Sequence, residues 1–362
     1  MQGFAFGGAN LATCLGPVIG GLVALQSGGF AWVFWALVIF GGVVLLLIAV
    51  ALPETGRSVV GNGSIQARGW RRTWWDILRK RKIKKDLGAE GEECKGDRSE
   101  SNNCNATKKK GIRMTNPWDC LRILLWRDTA AVLWMSSSPY AVWYCVQTSI
   151  PLIYKDVYGF DELQVGLTYL TGAAGVILGS YLNGKMMDRN YRVTARSIGH
   201  TIDKVAGDNL DDFPIEKARA KGSYYLLIIY VCALVGYGWG IISHVHESVP
   251  LILQFVLGML CTSFQQTFNA LLVDVFPASP STAAAAGNTV KCVLSAVAVA
   301  ILQPVVKAVG RGWFFTILTV VSGGGGFFAA WMVKERGMEW RGMRIRSERK
   351  ENVEGGRRTE AS

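Results

Sequence analysis

About eight apolar runs, each near the ~20 residues that a helix needs to cross a hydrocarbon core of about 30 Å, divide this sequence. They lie at 4–24, 31–52, 131–153, 163–184, 223–243, 249–271, 283–306 and 312–333. In lipid every backbone N–H and C=O must be bonded inside the protein, which leaves only helices and closed barrels. The runs do not alternate apolar with polar residues, so a barrel is excluded. The expected fold class is an all-α membrane protein, a bundle of about eight transmembrane helices. Composition agrees: half of the residues are hydrophobic and the mean hydropathy is +0.23.

Charge assigns the two sides. The net charge of +12 comes from 39 Lys and Arg against 27 Asp and Glu. The basic residues crowd into 57–127, 185–221 and 334–358, each abutting an apolar run. That is the positive-inside pattern rather than a nucleic-acid footprint, and no nucleic-acid partner is expected. Loops 54–130 and 185–222 and the tail after Lys334 are therefore placed inside. The short connections Gln26–Ala31, Lys155–Leu163, His244–Pro250 and Lys307–Gly312 are placed outside. Asp274–Thr282 carries no Lys or Arg and is put inside by topology alone. The expected domains are 1–53, holding two helices; 54–130, a basic loop; 131–334, a six-helix half; and 335–362, a cytoplasmic tail. The loop centre, Gly88–Gly111, is polar and of low complexity, which predicts disorder. Its Trp- and Arg-rich ends, Trp70–Lys82 and Pro117–Arg127, fit helices lying on an anionic leaflet or a solvated charged loop. Two sequons, at Asn62 and Asn105, fall on the inside and are expected to be unglycosylated. The N-terminus has no basic leader, and the cysteines form no CxxC pair, so free thiols are expected.

Small residues recur one helical turn apart at Gly8, Ala12, Gly16 and Gly20, followed by Gly21, so another backbone can approach that face. Pro17 bends the helix beside Gly16. Further along come Leu52-Pro-Glu-Thr-Gly-Arg57 with Gly61-Asn-Gly-Ser64, then Tyr158-Gly-Phe-Asp-Glu-Leu-Gln-Val-Gly-Leu-Thr-Tyr-Leu170. Gly184-Lys-Met-Met-Asp-Arg-Asn-Tyr-Arg192, Leu272-Val-Asp-Val-Phe-Pro277 and Ser281–Cys292 follow. In this order the motifs resemble the fifth helix onward of fungal drug:proton antiporters of the major facilitator superfamily, in the quinidine-resistance and dityrosine-transporter branch. Ala12 stands where the antiporter motif has its middle glycine. The resemblance covers nearly the whole chain except the loop centre and the tail. It implies helices five to twelve of a twelve-helix facilitator, N-terminally truncated. It also implies export of a small organic compound by proton antiport, in a plasma membrane, with substrate, protons and lipid as partners and no cofactor. A shortened membrane protein that does not transport, and acts as an interaction or regulatory partner, is the alternative.

Individual residues suggest where such chemistry would sit. Gly184, Asp188, Arg189 and Arg192 resemble the second facilitator loop motif, with Tyr191 in place of its last glycine. Asp188 can face a helix N-terminus and the arginines can pair with carboxylate or lipid phosphate, giving either a gate or a simple anchor. Lys291 lies well inside the seventh run, three residues after Asn288 and so near the same face. A lysine there either faces a cavity or snorkels to the interface. Gln265, Gln266 and Asn269, and likewise Tyr140, Tyr144 and Gln147, form polar clusters at membrane depth. Such groups either bond a neighbouring helix or line a substrate path, which with amides and aromatics would suit amphipathic or cationic compounds. The three histidines, His200, His244 and His246, are too scattered for a metal centre. There is no phosphate loop, nucleophile elbow or catalytic carboxylate pair, so no enzyme activity is expected.

Overall fold

The computed structural model describes residues 16–23, 30–51, 126–198, 215–220, 222–243, 245–276 and 280–360. Gly8, Ala12, the Leu52–Arg57 motif, both sequons, the Trp70–Lys82 segment, residues 117–125 of the second Trp-rich segment, His200 and His244 lie outside the described residues. Those described are helical with short connections and include no strand. After helical residues 16–23 come α1 (Phe30–Ala51), α2 (Arg127–Asp156), α3 (Glu162–Ile198), α4 (Ile215–Ala220), α5 (Ser223–Ile242) and α6 (Ser248–Val275). Then follow α7 (Pro280–Val309), α8 (Arg311–Thr319), a π-helical turn (Val320–Gly324) and α9 (Gly325–Glu360).

The chain forms two compact units, Val23–Met114 and Met1–Leu22 with Thr115–Ser362. In the smaller unit, α1 is apolar all round and has no charged residue, the composition of a membrane span. In the larger unit, α2 and α6 occupy the centre. Helix α2 packs on α3, α6, α7 and α9, and α6 packs on α2, α3, α5 and α7.

Among the described residues six helical stretches are long and apolar enough to cross a membrane. They are Ala31–Ile48, Glu162–Ile198, Ser223–Ile242, Ser248–Val275, Pro280–Val309 and Arg311–Met343. The expected run at 131–153 is a helix too, but it is not among these six. The physical reason is enclosure. Four helices surround α2, so Ser136, Ser137, Ser138, Gln147 and Ser149 are buried in protein, and its sequence need not be as apolar as a lipid-facing helix.

Helix α3 also departs from expectation. It runs 37 residues, about 55 Å at 1.5 Å per residue, and continues past the expected end at 184. Nothing between Gly184 and Ile198 stops a helix, and Lys, Met and Arg favour one. The Gly184–Arg192 motif therefore lies on a helix rather than a loop. Likewise α9 extends to Glu360, so most of the expected tail is helical.

The short connections gather at one end of the larger unit. Arg311 Nη2 pairs with Asp156 Oδ2 at 2.9 Å, and Tyr158 Oη donates to the Val245 carbonyl at 2.9 Å. Burial and the negative charge of Glu247 hold the Tyr158 phenol above its ordinary pKa, so it keeps the proton it donates. Two other ion pairs tie α4 to its neighbours: Arg219 to Asp274 on α6, and Arg341 on α9 to Glu216. Glu216 and Arg341 are both buried, at 3.3 Å. Gly337 permits this approach, since a Cβ there would come within 3.0 Å of Glu216 Cγ.

Candidate functional site

Two groups of polar side chains lie well inside the long helices of the larger unit, and they differ in how their atoms are satisfied. The first is a seam between α3 and α6. Gln266 Nε2 donates to Ser180 Oγ at 2.8 Å, and Thr267 Oγ1 donates to Asn183 Oδ1 at 3.1 Å. Asn183 Nδ2 lies 3.4 Å from Gln266 Oε1 and 3.2 Å from Met187 Sδ. Glycines bring the two backbones together. A Cβ at Gly175 would collide with the Phe255 carbonyl, and one at Gly179 would lie 2.5 Å from the Met259 oxygen. This is small-residue packing with polar side chains bonding across it. Of the polar triplet on α6, Gln266 belongs to this seam. Gln265 is buried, and half-buried Asn269 points toward α7, where a Cβ on Gly287 would lie 3.8 Å from its Oδ1.

The second group lies where α2 meets α7. Tyr140 and Tyr144, one turn apart, have ring centroids 4.7 Å apart, and Tyr140 Oη donates to Tyr144 Oη at 3.2 Å. Both rings are half-buried. The Lys291 ammonium on α7 sits 5.3 Å from the Tyr140 ring centroid, and the residue is only 6% exposed. It begins the fourth turn of α7, roughly 16 Å along the helix at 1.5 Å per residue. No carboxylate lies within ion-pair distance of it among the described residues. The ring contact returns about 0.5–2 kcal/mol. Removing an ammonium from water costs several kcal/mol, so the ring alone does not compensate it.

Further along α2, Gln147 is buried, and its Oε1 accepts no hydrogen bond from the described residues. The Gln147 backbone carbonyl accepts one from Tyr169 Oη at 3.0 Å. Ser137 and Ser138 Oγ are likewise buried without a partner among the described residues, as is Gln254 Oε1 on α6. A helix core normally satisfies such atoms, so each of these carries unused hydrogen-bonding capacity. Sequence reasoning passed over Ser137, Ser138 and Gln254, although three consecutive serines inside an apolar run were a visible signal. It also missed Ser180 and Asn183, the partners of the seam.

The structure does not bring Asn288 to Lys291. Asn288 is exposed where Lys291 is buried. Three residues along an α-helix turn it by 300°, leaving a 60° offset that here crosses the boundary of the packed face. Asp188, Arg189 and Arg192 are exposed near the end of α3 and enter no ion pair among the described residues. Of the glycine face at the start, Gly21 lies against the Glu162 carbonyl, 3.7 Å from where its Cβ would be. Gly16 has nothing within 4 Å, and Pro17 and Gly20 are half-buried on the same helical segment. Among the described residues no group of His, Cys, Asp and Glu could hold a metal ion.

A model of the Major Facilitator Superfamily matches residues 1–299. The chain is 36% identical over 318 residues to MFS-type transporter phiD of a fungal species, covering 88% of this chain and 46% of that protein. It is 33% identical over 323 residues to Citrate exporter 1 of Aspergillus niger, covering 88% of this chain and 58% of that protein. It is 30% identical over 338 residues to MFS-type transporter tstD of Talaromyces stipitatus, covering 93% and 59%. The chain thus spans about half the length of these curated relatives. No solved structure matches it.

Proposed function

The chain belongs to the Major Facilitator Superfamily, and we propose that the whole protein exports a small organic compound across the plasma membrane by proton antiport. The observation that carries this reading is buried Lys291, with no described carboxylate beside it, against the half-buried Tyr140 and Tyr144 where α2 packs on α7. Transporters bind substrate near the bilayer midplane, where bundles keep polar groups away from lipid. Gln265 and Asn269 on α6 extend the same polar path. The paired seam of α3 and α6 keeps that wall rigid. Names of relatives point the same way: two are MFS-type transporters and one is a citrate exporter.

The motifs of Gly8–Gly21 and of Gly184, Asp188, Arg189 and Arg192 support the drug:proton antiporter branch. In this reading Asp188 and the two arginines act at the inner side, where the halves of a transporter rock against each other. A proton gradient drives export only when protonation and substrate binding favour opposite-facing states.

The test is efflux of a labelled panel of organic acids, organic cations and neutral compounds from cells expressing the whole protein. Export above the background of non-expressing cells, abolished by a proton uncoupler, is the expected result. Accumulation indifferent to both expression and uncoupler overturns the proposal.

A further inference from the structure

We infer that the cradle at Tyr140, Tyr144 and Lys291 takes the carboxylate of a small organic acid, rather than an organic cation; this deepens the transporter reading and rests on it for the movement of that acid. Among the described residues of the larger unit the ion pairs are Arg219 with Asp274, Arg311 with Asp156 and Arg341 with Glu216. None of them involves Lys291, which is more than nine-tenths buried on a helix between the two ends. A buried cation of this kind is stabilised by an anion brought to it.

The neighbouring groups fit the rest of such a ligand. Tyr140 gives its hydroxyl proton to Tyr144, which leaves the Tyr144 proton to donate onward. Ammonium and phenol then offer a donor to each oxygen of one carboxylate, a charge-assisted pair of bonds. The two tilted rings supply an apolar face for the organic body. A cationic ligand would find the Tyr140 ring already carrying the Lys291 charge, and like charges at that range repel. Amides and aromatics alone suit amphipathic or cationic compounds, but the burial of Lys291 reverses the sign. Inorganic phosphate has no organic body for the two rings to cover, so it gains the charged contact alone.

Binding by the whole protein in neutral-lipid nanodiscs tests this, with labelled benzoate and citrate as probes and tetraphenylphosphonium and inorganic phosphate as competitors. Saturable binding of at least one acid is expected, undisturbed by either competitor. Lys291→Ala should weaken it at least about tenfold, the usual scale for truncating one side of a buried charge contact. Lys291→Arg should restore much of that loss, and Tyr144→Phe, which keeps the ring, should weaken binding about threefold to tenfold. The two conservative variants decide the matter if Lys291→Ala fails to fold. Failure of both acids to bind, equal binding by Lys291→Arg, Lys291→Ala and Tyr144→Phe variants and the native protein, or displacement by tetraphenylphosphonium or phosphate overturns the assignment. Acid binding without export from cells leaves this site standing and removes the transporter reading; export of cations alone does the reverse.

Discussion

The α3–α6 seam and the α2–α7 cradle are built from the same kinds of residue and do opposite things. In the seam, Ser180, Asn183, Gln266 and Thr267 bond one another across two backbones that glycines hold close. In the cradle, Lys291 has no carboxylate within ion-pair distance among the described residues. A polar side chain inside a membrane bundle is thus either bonding between helices or capacity left for a ligand. The difference is whether its atoms are paired, not which residue it is.

That contrast can be broken by experiment. The largest effect is expected in the seam. Gly175→Leu forces a side chain into the Phe255 carbonyl, at a cost of about 3 kcal/mol or more. Loss of the monodisperse, detergent-solubilised protein on size-exclusion chromatography would report it. A well-folded variant would mean that the two backbones do not meet as closely as described.

The next effect belongs to the cradle and should appear in activity instead of stability. Export should fall at least about tenfold in Lys291→Ala and change less than about twofold in Lys307→Ala. Equal rates in the two variants would reduce Lys291 to an interfacial anchor. Lys291→Met sharpens the point. Replacing a buried charge by an apolar chain is neutral or stabilising. Its thermal midpoint should therefore hold or rise while export is lost; a marked fall would make Lys291 structural.

A smaller effect returns to the seam. Gln266→Leu should lower stability by about 1 kcal/mol, within the range measured for interhelical bonds in membranes, with substrate binding per folded molecule unchanged. Thermal denaturation and binding on the same preparation separate the two readouts. The smallest effect is at Asn288. Because it is exposed and apart from Lys291, Asn288→Ala should alter export less than about twofold. A loss matching that of Lys291→Ala would place it in the substrate path after all.

Much of the architecture was legible in the residues. The helical class and the runs that became α3, α5, α6 and α7 follow from apolar length. Tyr140 and Tyr144, spaced by four, could be placed on one face and are found there, bonded to each other. Helix boundaries were less legible. The continuation of α3 beyond Gly184 carries no apolar signal, only the absence of a stop. Enclosure of α2 was not legible at all, since it depends on which helices surround it. For the same reason no periodicity could show that Gln266, not Gln265, bonds to α3, or that Ser180 and Asn183 are its partners.

The sequence by itself determined that this chain forms apolar helices with basic connections, because a bilayer accepts few other solutions and charge selects the side on which each connection rests. Tertiary structure alone decided which polar groups were spent on one another and which were left over. One residue turns a helix by 100°, so adjacent positions face different neighbours, and only packing says which neighbour is there. That is why Gln266 bonds to α3, and why Lys291 is left without a carboxylate in ion-pair distance among the described residues.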